Sequence, residues 1–294
     1  MKILITGAAG MLAADVIPVL AAAGHKIIKT DINQRLTDIE SLDITDKNDV
    51  FAKVKTFHPE YIFHFAAETN VDLCQKHPEH AFKVNALGTE NLALAAKEFG
   101  CRFLYISTAN VFNGDKLKPY IESDLTGSIN NYGKSKAQGE RVIRKILSEY
   151  FIIRAGWMVG GWELDKKFVY KIIKQLKEGK LELKAVSDKF GSLTFTKDLA
   201  ANLMPLININ RFGLYHMANK GTCSRYEIAL KIVEFMGLSN KVRVVPVSSD
   251  EFSLPAPRPH SEMLDNYKLD LLKLNNMPYW QDSLKEYITA NKES

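Results

Sequence analysis

The opening segment "KILITGAAGMLA" constrains the fold more than any other feature of this chain. A short β-branched run, residues 2–6, is broken by Gly7 and Gly10 and passes directly into a helical pattern over 10–23. Gly7 permits a tight turn, Gly10 lets backbone N–H groups approach an anion, and Ala13 keeps the helix close to the sheet. The unpaired N–H groups and the dipole at a helix start favour a pyrophosphate there. A glycine pattern alone is weak evidence, but this one follows a strand and opens a helix, which is the context that gives it meaning. The expectation is a dinucleotide site on Gly7, Gly10, Met11 and Leu12.

The rhythm continues through the front half. Strand patterns at 26–30, 61–65, 102–107 and 150–154 alternate with helical patterns at 46–57, 78–99 and 130–149. Short apolar strands separated by helices predict parallel strands with right-handed crossovers, so the fold class is α/β, a Rossmann-type doubly wound parallel sheet. Past residue 155 the rhythm breaks up. A basic amphipathic helix (167–179), a strand (181–186) and helices near 197–206 and 224–236 lead to a stretch, 246–262, that carries four prolines and reads as an extended loop. The division expected is a dinucleotide-binding domain over 1–155 and a smaller α/β substrate-binding domain over 156–294, with some segments returning to the first.

Asp31 ends the second strand, where a carboxylate can accept both ribose hydroxyls and would repel a 2′-phosphate, favouring NADH over NADPH. A turn-forming role is the alternative for this aspartate. In "LDITD", Asp43 offers a polar group and Ile44 an apolar face to an adenine, although Asp43 could equally cap the following helix.

Composition narrows the function classes. The net charge of +5 is spread over mixed-sign stretches, without the basic stripe or reader motif of a nucleic-acid site, and suits small anionic substrates. Three scattered cysteines and no Cys/His cluster argue for free thiols in a reducing cytoplasm and against a metal site. The apolar run 3–24 is interrupted by Asp15 and two glycines, so it is expected to be a strand and a helix rather than a leader or membrane span.

In "NNYGKSKAQGE", Tyr132 and Lys136 lie four apart at the start of a helix, on one face. A phenol titrates near ~10, and an adjacent ammonium would lower that value and make it an exchangeable acid. Upstream, "FLYISTANVF" ends a buried strand in Ser107 and Thr108, whose hydroxyls can bond a substrate carbonyl or simply satisfy the strand end.

Together the glycine turn, Thr108 and Tyr132-x-x-x-Lys136 resemble the extended short-chain dehydrogenases/reductases. The segments "AAETNVDLCQKHPEHAFKVNALGTENLALAA", "STANVFNG", "IIRAGWMVGG", "SDKFGSLTFTKDLA", "GLYHMANKGTCSRYEIA" and "PAPRP" are similar, in order and spacing, to the dTDP-4-dehydrorhamnose reductase family. The likeness is dense to residue 140 and falls in islands afterwards. It implies a Thr108–Tyr132–Lys136 triad that reduces a 4-keto group on a nucleotide-activated deoxysugar for polysaccharide or glycan precursors. It further implies that Ala66 and Ala67 pass under the cofactor, and that Asn85, Asn110, Trp157 and Arg258 lie on the substrate side. Mg²⁺ and a homodimer are left open.

The chain also departs from the family pattern. Ala109 and Asn110 stand where "STDYVFDG" has Asp and Tyr, Leu193 replaces a proline, Arg225 a tryptophan, Pro257 a lysine and Glu262 a serine. A site built on one sugar's hydroxyls loses affinity when its polar partners change, so a different or modified nucleotide sugar is expected. The alternatives are an epimerase on the same scaffold and a non-catalytic dinucleotide-binding regulatory subunit. Ala109 and Asn110 cannot supply the extra acid and base of a dehydratase.

Overall fold

The computed structural model describes residues 1–33 and 38–291. Its front half runs β1 (Lys2–Thr6), α1 (Met11–Ala22), β2 (Lys26–Asp31), β3 (Glu40–Ser41), α2 (Lys47–Phe57), β4 (Tyr61–His64), α3 (Val71–Lys76), α4 (Pro78–Phe82), α5 (Gly88–Phe99), β5 (Arg102–Thr108), α6 (Asn131–Ile146) and β6 (Tyr150–Ala155). The second half continues with β7 (Trp157–Val159), α7 (Phe168–Lys177), β8 (Glu182–Val186), β9 (Phe190–Gly191), β10 (Leu193–Phe195), α8 (Thr196–Asn208), β11 (Gly213–His216), β12 (Cys223–Ser224), α9 (Arg225–Phe235), β13 (Arg243–Val247), β14 (Ser261–Glu262), α10 (Tyr267–Leu271) and α11 (Trp280–Ala290).

Seven parallel strands form the main sheet in the order β11-β6-β5-β4-β1-β2-β3. This is the doubly wound parallel sheet of a Rossmann-type α/β protein. Helices cover both faces, so its central strands are continuous apolar runs: Ile3, Leu4 and Ile5 of β1 and Ile62 and Phe63 of β4 are fully buried. One face packs Ile3 and Ile5 against Val16 and Leu20 of α1 and Leu199 and Leu203 of α8. The other packs Leu4 and Ile62 against Val50 of α2, Leu92 of α5 and Ile143 of α6. A separate core gathers α7, α9 and α11 around Leu183 of β8.

Several expectations change in detail. The single helix read over 78–99 is interrupted by a π-helical turn, Lys83–Leu87, and preceded by α3. The edge strand β11 comes from beyond residue 155, and so does α8 on the sheet's face. The proline-bearing stretch begins inside β13, where Pro246 is tolerated because β13 pairs only with β8, and it ends in β14. No helix among the described residues is long and apolar enough to cross a membrane.

Candidate active site

The sheet order reverses direction at β1, between β4 and β2, and a cavity of about 510 Å³ opens at the carboxyl ends of the strands there. It is bordered by Gly7 after β1, Asp31 at the end of β2, Ala66 after β4, Thr108 at the end of β5 and Gly156 after β6. Every residue assigned to the cofactor in the sequence lines this one space: Gly7, Gly10, Met11, Leu12, Asp31, Asp43, Ile44, Ala66, Ala67, Tyr132 and Lys136.

Gly7 has φ +74°, and a Cβ there would lie 2.6 Å from the Ala66 nitrogen. Its carbonyl accepts the Gly10 N–H at 3.0 Å, closing the turn. Helix α1 then begins with no side chain accepting from its first N–H groups and no acidic residue in its first turn. An uncapped helix start facing a cavity fits the pyrophosphate of a dinucleotide. The Asp31 carboxylate accepts N–H bonds from Ala9 at 3.0 Å and Asn33 at 2.8 Å, so it both shapes the turn and borders the cavity. Asp43 accepts the Thr45 N–H at 2.8 Å and hydroxyl at 2.9 Å, while the cap of α2 is Asp46.

Thr108 is buried at the strand end, and Tyr132 and Lys136 project from the first turns of α6 into the same cavity. The start of α6 is held firmly. Asn130 Oδ1 accepts the Gly133 N–H at 2.9 Å, and Gln75 Oε1 accepts the Asn131 N–H at 3.1 Å. A Cβ at 133 would collide with the Asn110 carbonyl oxygen, so glycine lets this turn rest against Asn110.

Burial pushes the Tyr132 phenol up to about 12, opposed by hydrogen bonding to Thr108. The lowering expected from a neighbouring ammonium is not found, since only the Thr108 hydrogen bond opposes burial and the nearby acidic groups, and Tyr132 is a neutral acid at neutral pH. Lys136, with its Nζ 4.0 Å from the Tyr105 ring centroid, is drawn down to about 7 by burial, against the opposing charge of Glu140.

Beneath the triad lies a group the sequence did not reveal. Glu140 accepts the Ser107 hydroxyl at 2.6 Å and a two-pronged bond from Arg154, Nε at 2.8 Å and Nη2 at 2.7 Å. Arg154 is 1% exposed and Glu140 3%, so this fork ties β5 and β6 to α6 inside the protein. Ser107 thereby satisfies the strand end. Glu140 lies one helical turn beyond Lys136, the one local hint available.

The substrate-side residues do not line the cavity. Asn85, in the π-helical turn, accepts the Glu68 N–H at 2.9 Å and donates to the Glu68 carbonyl and Ser135 Oγ, both at 3.0 Å, bracing the cavity wall against α6. Asn110 bonds Glu262 and accepts from Asn130 at 2.9 Å. Trp157 Nε1 donates to Glu262 at 2.8 Å, and the Arg225 guanidinium lies 3.7 Å from the Trp157 ring centroid. Arg258 pairs with Asp72 at 2.9 Å and donates to the Ala256 carbonyl, fastening the proline-bearing loop to α3. The cavity also takes Glu68 and Thr69, which directly follow Ala67, and Met158 and Lys167, which no local pattern marks. Among the described residues no group of three His, Cys, Asp or Glu side chains could hold a metal ion.

The profile of the family described as RmlD substrate binding domain matches residues 1–293. The chain is 34% identical to the spore coat polysaccharide biosynthesis protein SpsK of Bacillus subtilis, over 98% of this chain and 96% of that protein. It superposes with a TM-score of 0.92 on a dTDP-4-dehydrorhamnose reductase of Clostridium acetobutylicum, 36% identical, covering 99% of this chain and 100% of the other. A dTDP-4-dehydrorhamnose reductase of Bacillus anthracis in complex with NADP superposes with a TM-score of 0.90 at 34% identity, each chain being 99% covered.

Proposed function

The chain belongs to the RmlD substrate binding domain family, and on that premise we propose that it reduces the 4-keto group of a nucleotide-activated deoxysugar with a nicotinamide dinucleotide. The observation that carries the reading is the convergence of Thr108, Tyr132 and Lys136 on the cavity whose far wall is the Gly7 turn and the uncapped start of α1.

The chemistry that a bound nicotinamide supplies is hydride delivery to the keto carbon. Tyr132, kept neutral by burial, donates its phenolic proton to the carbonyl oxygen as negative charge develops there. The Thr108 hydroxyl orients that oxygen. Lys136, held at the edge of ionisation, holds the nicotinamide ribose and stabilises the phenolate left behind. Asp31 supports NADH as the preferred cofactor, because its carboxylate is fixed by two backbone N–H groups at the cavity wall, where it would repel a 2′-phosphate. The product would serve polysaccharide or glycan synthesis. A different or modified nucleotide sugar is in keeping with Asn110, which is engaged by protein groups on both sides of its amide.

Substituting Tyr132→Phe tests the assignment. Turnover of nucleotide 4-keto sugars should fall by about 10²–10⁴-fold while NADH binding is retained. Full activity in this variant would refute the proton-donor role, whereas a wild-type protein that binds NADH but reduces no nucleotide keto sugar would leave the epimerase or regulatory reading standing.

A further inference from the structure

Two residues that break the family pattern in the sequence, Asn110 and Glu262, are bonded to each other. They belong to a chain of hydrogen bonds that ends on the catalytic helix. At that end the Gly133 N–H can only donate, so Asn130 must present Oδ1 to it, at 2.9 Å. The Asn130 amide nitrogen then faces away and donates to Asn110 Oδ1 at 2.9 Å and to the Pro257 carbonyl at 3.1 Å. Asn110 in turn presents its own amide nitrogen to Glu262 Oε1. The other Glu262 oxygen accepts the Trp157 indole N–H at 2.8 Å. Each amide orientation dictates the next, and an acceptor at position 262 terminates the series.

We propose that Glu262 is a positioning residue for the reduction: an acceptor-only carboxylate that, through Asn110 and Asn130, fixes the N-terminal cap of α6 and so the placement of Tyr132 and Lys136. A carboxylate ends the series correctly because two N–H donors, from Asn110 and Trp157, point at it. Burial pushes the Glu262 carboxyl up, and the Trp157 and Asn110 donors together with the Arg225 guanidinium stacked on the same Trp157 ring favour its charged form. The relay also couples the two halves of the protein, since Glu262 and Trp157 lie on β14 and β7 while Asn110 and Asn130 flank the catalytic residues.

Bond polarity can be tested separately from packing. In Glu262→Gln one side of the carboxamide is a donor facing a donor. Either a bond is lost or both asparagines turn over and the cap is removed. Asn110→Asp sets two carboxylates against each other. The double variant E262Q/N110D restores every donor to an acceptor: the new amide at position 262 donates to the new carboxylate at position 110, which still accepts from Asn130.

Hydrogen exchange over residues 130–135 and steady-state turnover are the two readouts, the second resting on the reductase reading above. In Glu262→Gln the Gly133 amide should exchange about fivefold faster, as expected for a lost N-cap, and less so in Asn110→Asp, whose carboxylate still accepts from Asn130. Turnover should fall by about ten- to a hundredfold through misplacement of the acid, with a smaller loss of NADH affinity through Lys136. Both should recover in the double variant. Wild-type exchange and turnover in Glu262→Gln, or a double variant no better than its worse parent, would overturn the relay. If the wild-type protein reduces no nucleotide keto sugar, the functional reading fails, and the exchange data alone decide the relay.

Discussion

Replacing Gly7 by alanine probes the turn on which the cofactor site depends, and the structure allows its cost to be divided. The first part is conformational. At φ +74° an L-residue carries a strain of about 1–2 kcal/mol. The second part is steric. The new Cβ would approach the Ala66 nitrogen to 2.6 Å, the Phe65 carbonyl carbon to 2.8 Å and Ala66 Cα to 2.9 Å. All three are backbone atoms, so no side chain can swing aside, and the segment after β4 must move. Overpacking of this kind costs about 1–3 kcal/mol.

Gly24 provides the control, because it has φ +77° and nothing within 4 Å of an added Cβ. Gly24→Ala should therefore show the strain alone, while Gly7→Ala should lose about 2–5 kcal/mol in all. At ~2–4 °C per kcal/mol for a chain of this size, the two melting points separate by several degrees. Because Ala66 lines the cavity, NADH affinity should also drop by at least about tenfold in Gly7→Ala, equivalent to ~1.4 kcal/mol, and not at all in Gly24→Ala. Thermal unfolding and NADH fluorescence titration measure both effects. Equal melting points with undiminished NADH binding in Gly7→Ala would refute the close-approach argument.

Under the proposed ribose contact, Asp31→Ser should shift preference toward NADPH by about tenfold or more, since it removes a carboxylate from the cavity wall; paired NADH and NADPH titrations measure it. Lys136 gives a pH signature in the cofactor-free protein. Its folded-state value of about 7 lies below its unfolded one, so the unfolded chain binds the extra proton between those two values and stability should rise with pH across that window. Lys136→Met should be relatively most stabilising below pH ~7 and lose that advantage as pH approaches ~10; melting curves at several pH values would show a pH-independent difference between the two proteins if the ammonium were not buried. Glu140→Ala leaves Arg154, 1% exposed, without its carboxylate, and should cost about 3–5 kcal/mol in denaturant unfolding. A loss under ~1 kcal/mol would mean that water reaches the guanidinium.

The front half was legible because its physics is local. Strands covered on both faces must be largely apolar, which is why β1, β4, β5 and β6 stand out as short β-branched and aromatic runs. Gly7, Asp31, Ala66 and Thr108 lie at or just past strand ends, so knowing the strands places them at one sheet edge. Tyr132 and Lys136 follow from helical spacing. The break in the helix over 78–99 was not legible, because a single widened turn leaves the apolar periodicity almost unchanged while redirecting Asn85 to Glu68 and Ser135. Strand β11 is four residues long with one covering helix before it, too short to distinguish from a buried loop.

The substrate side was opaque for a different reason. Its bonds join distant parts of the chain: Asn110 to Glu262 across 152 residues, Trp157 to Glu262 across 105 and Arg258 to Asp72 across 186. No spacing in the sequence encodes such a pairing. Read one at a time, Asn110 and Glu262 look like two separate losses of the family's sugar contacts. Paired, they are one donor and one acceptor that satisfy each other at the base of α6. A buried polar group without its partner costs more than the pair contributes. That asymmetry makes either single substitution at 110 or 262 more damaging than the exchange of both, and it gives the two departures in this chain a common physical cause.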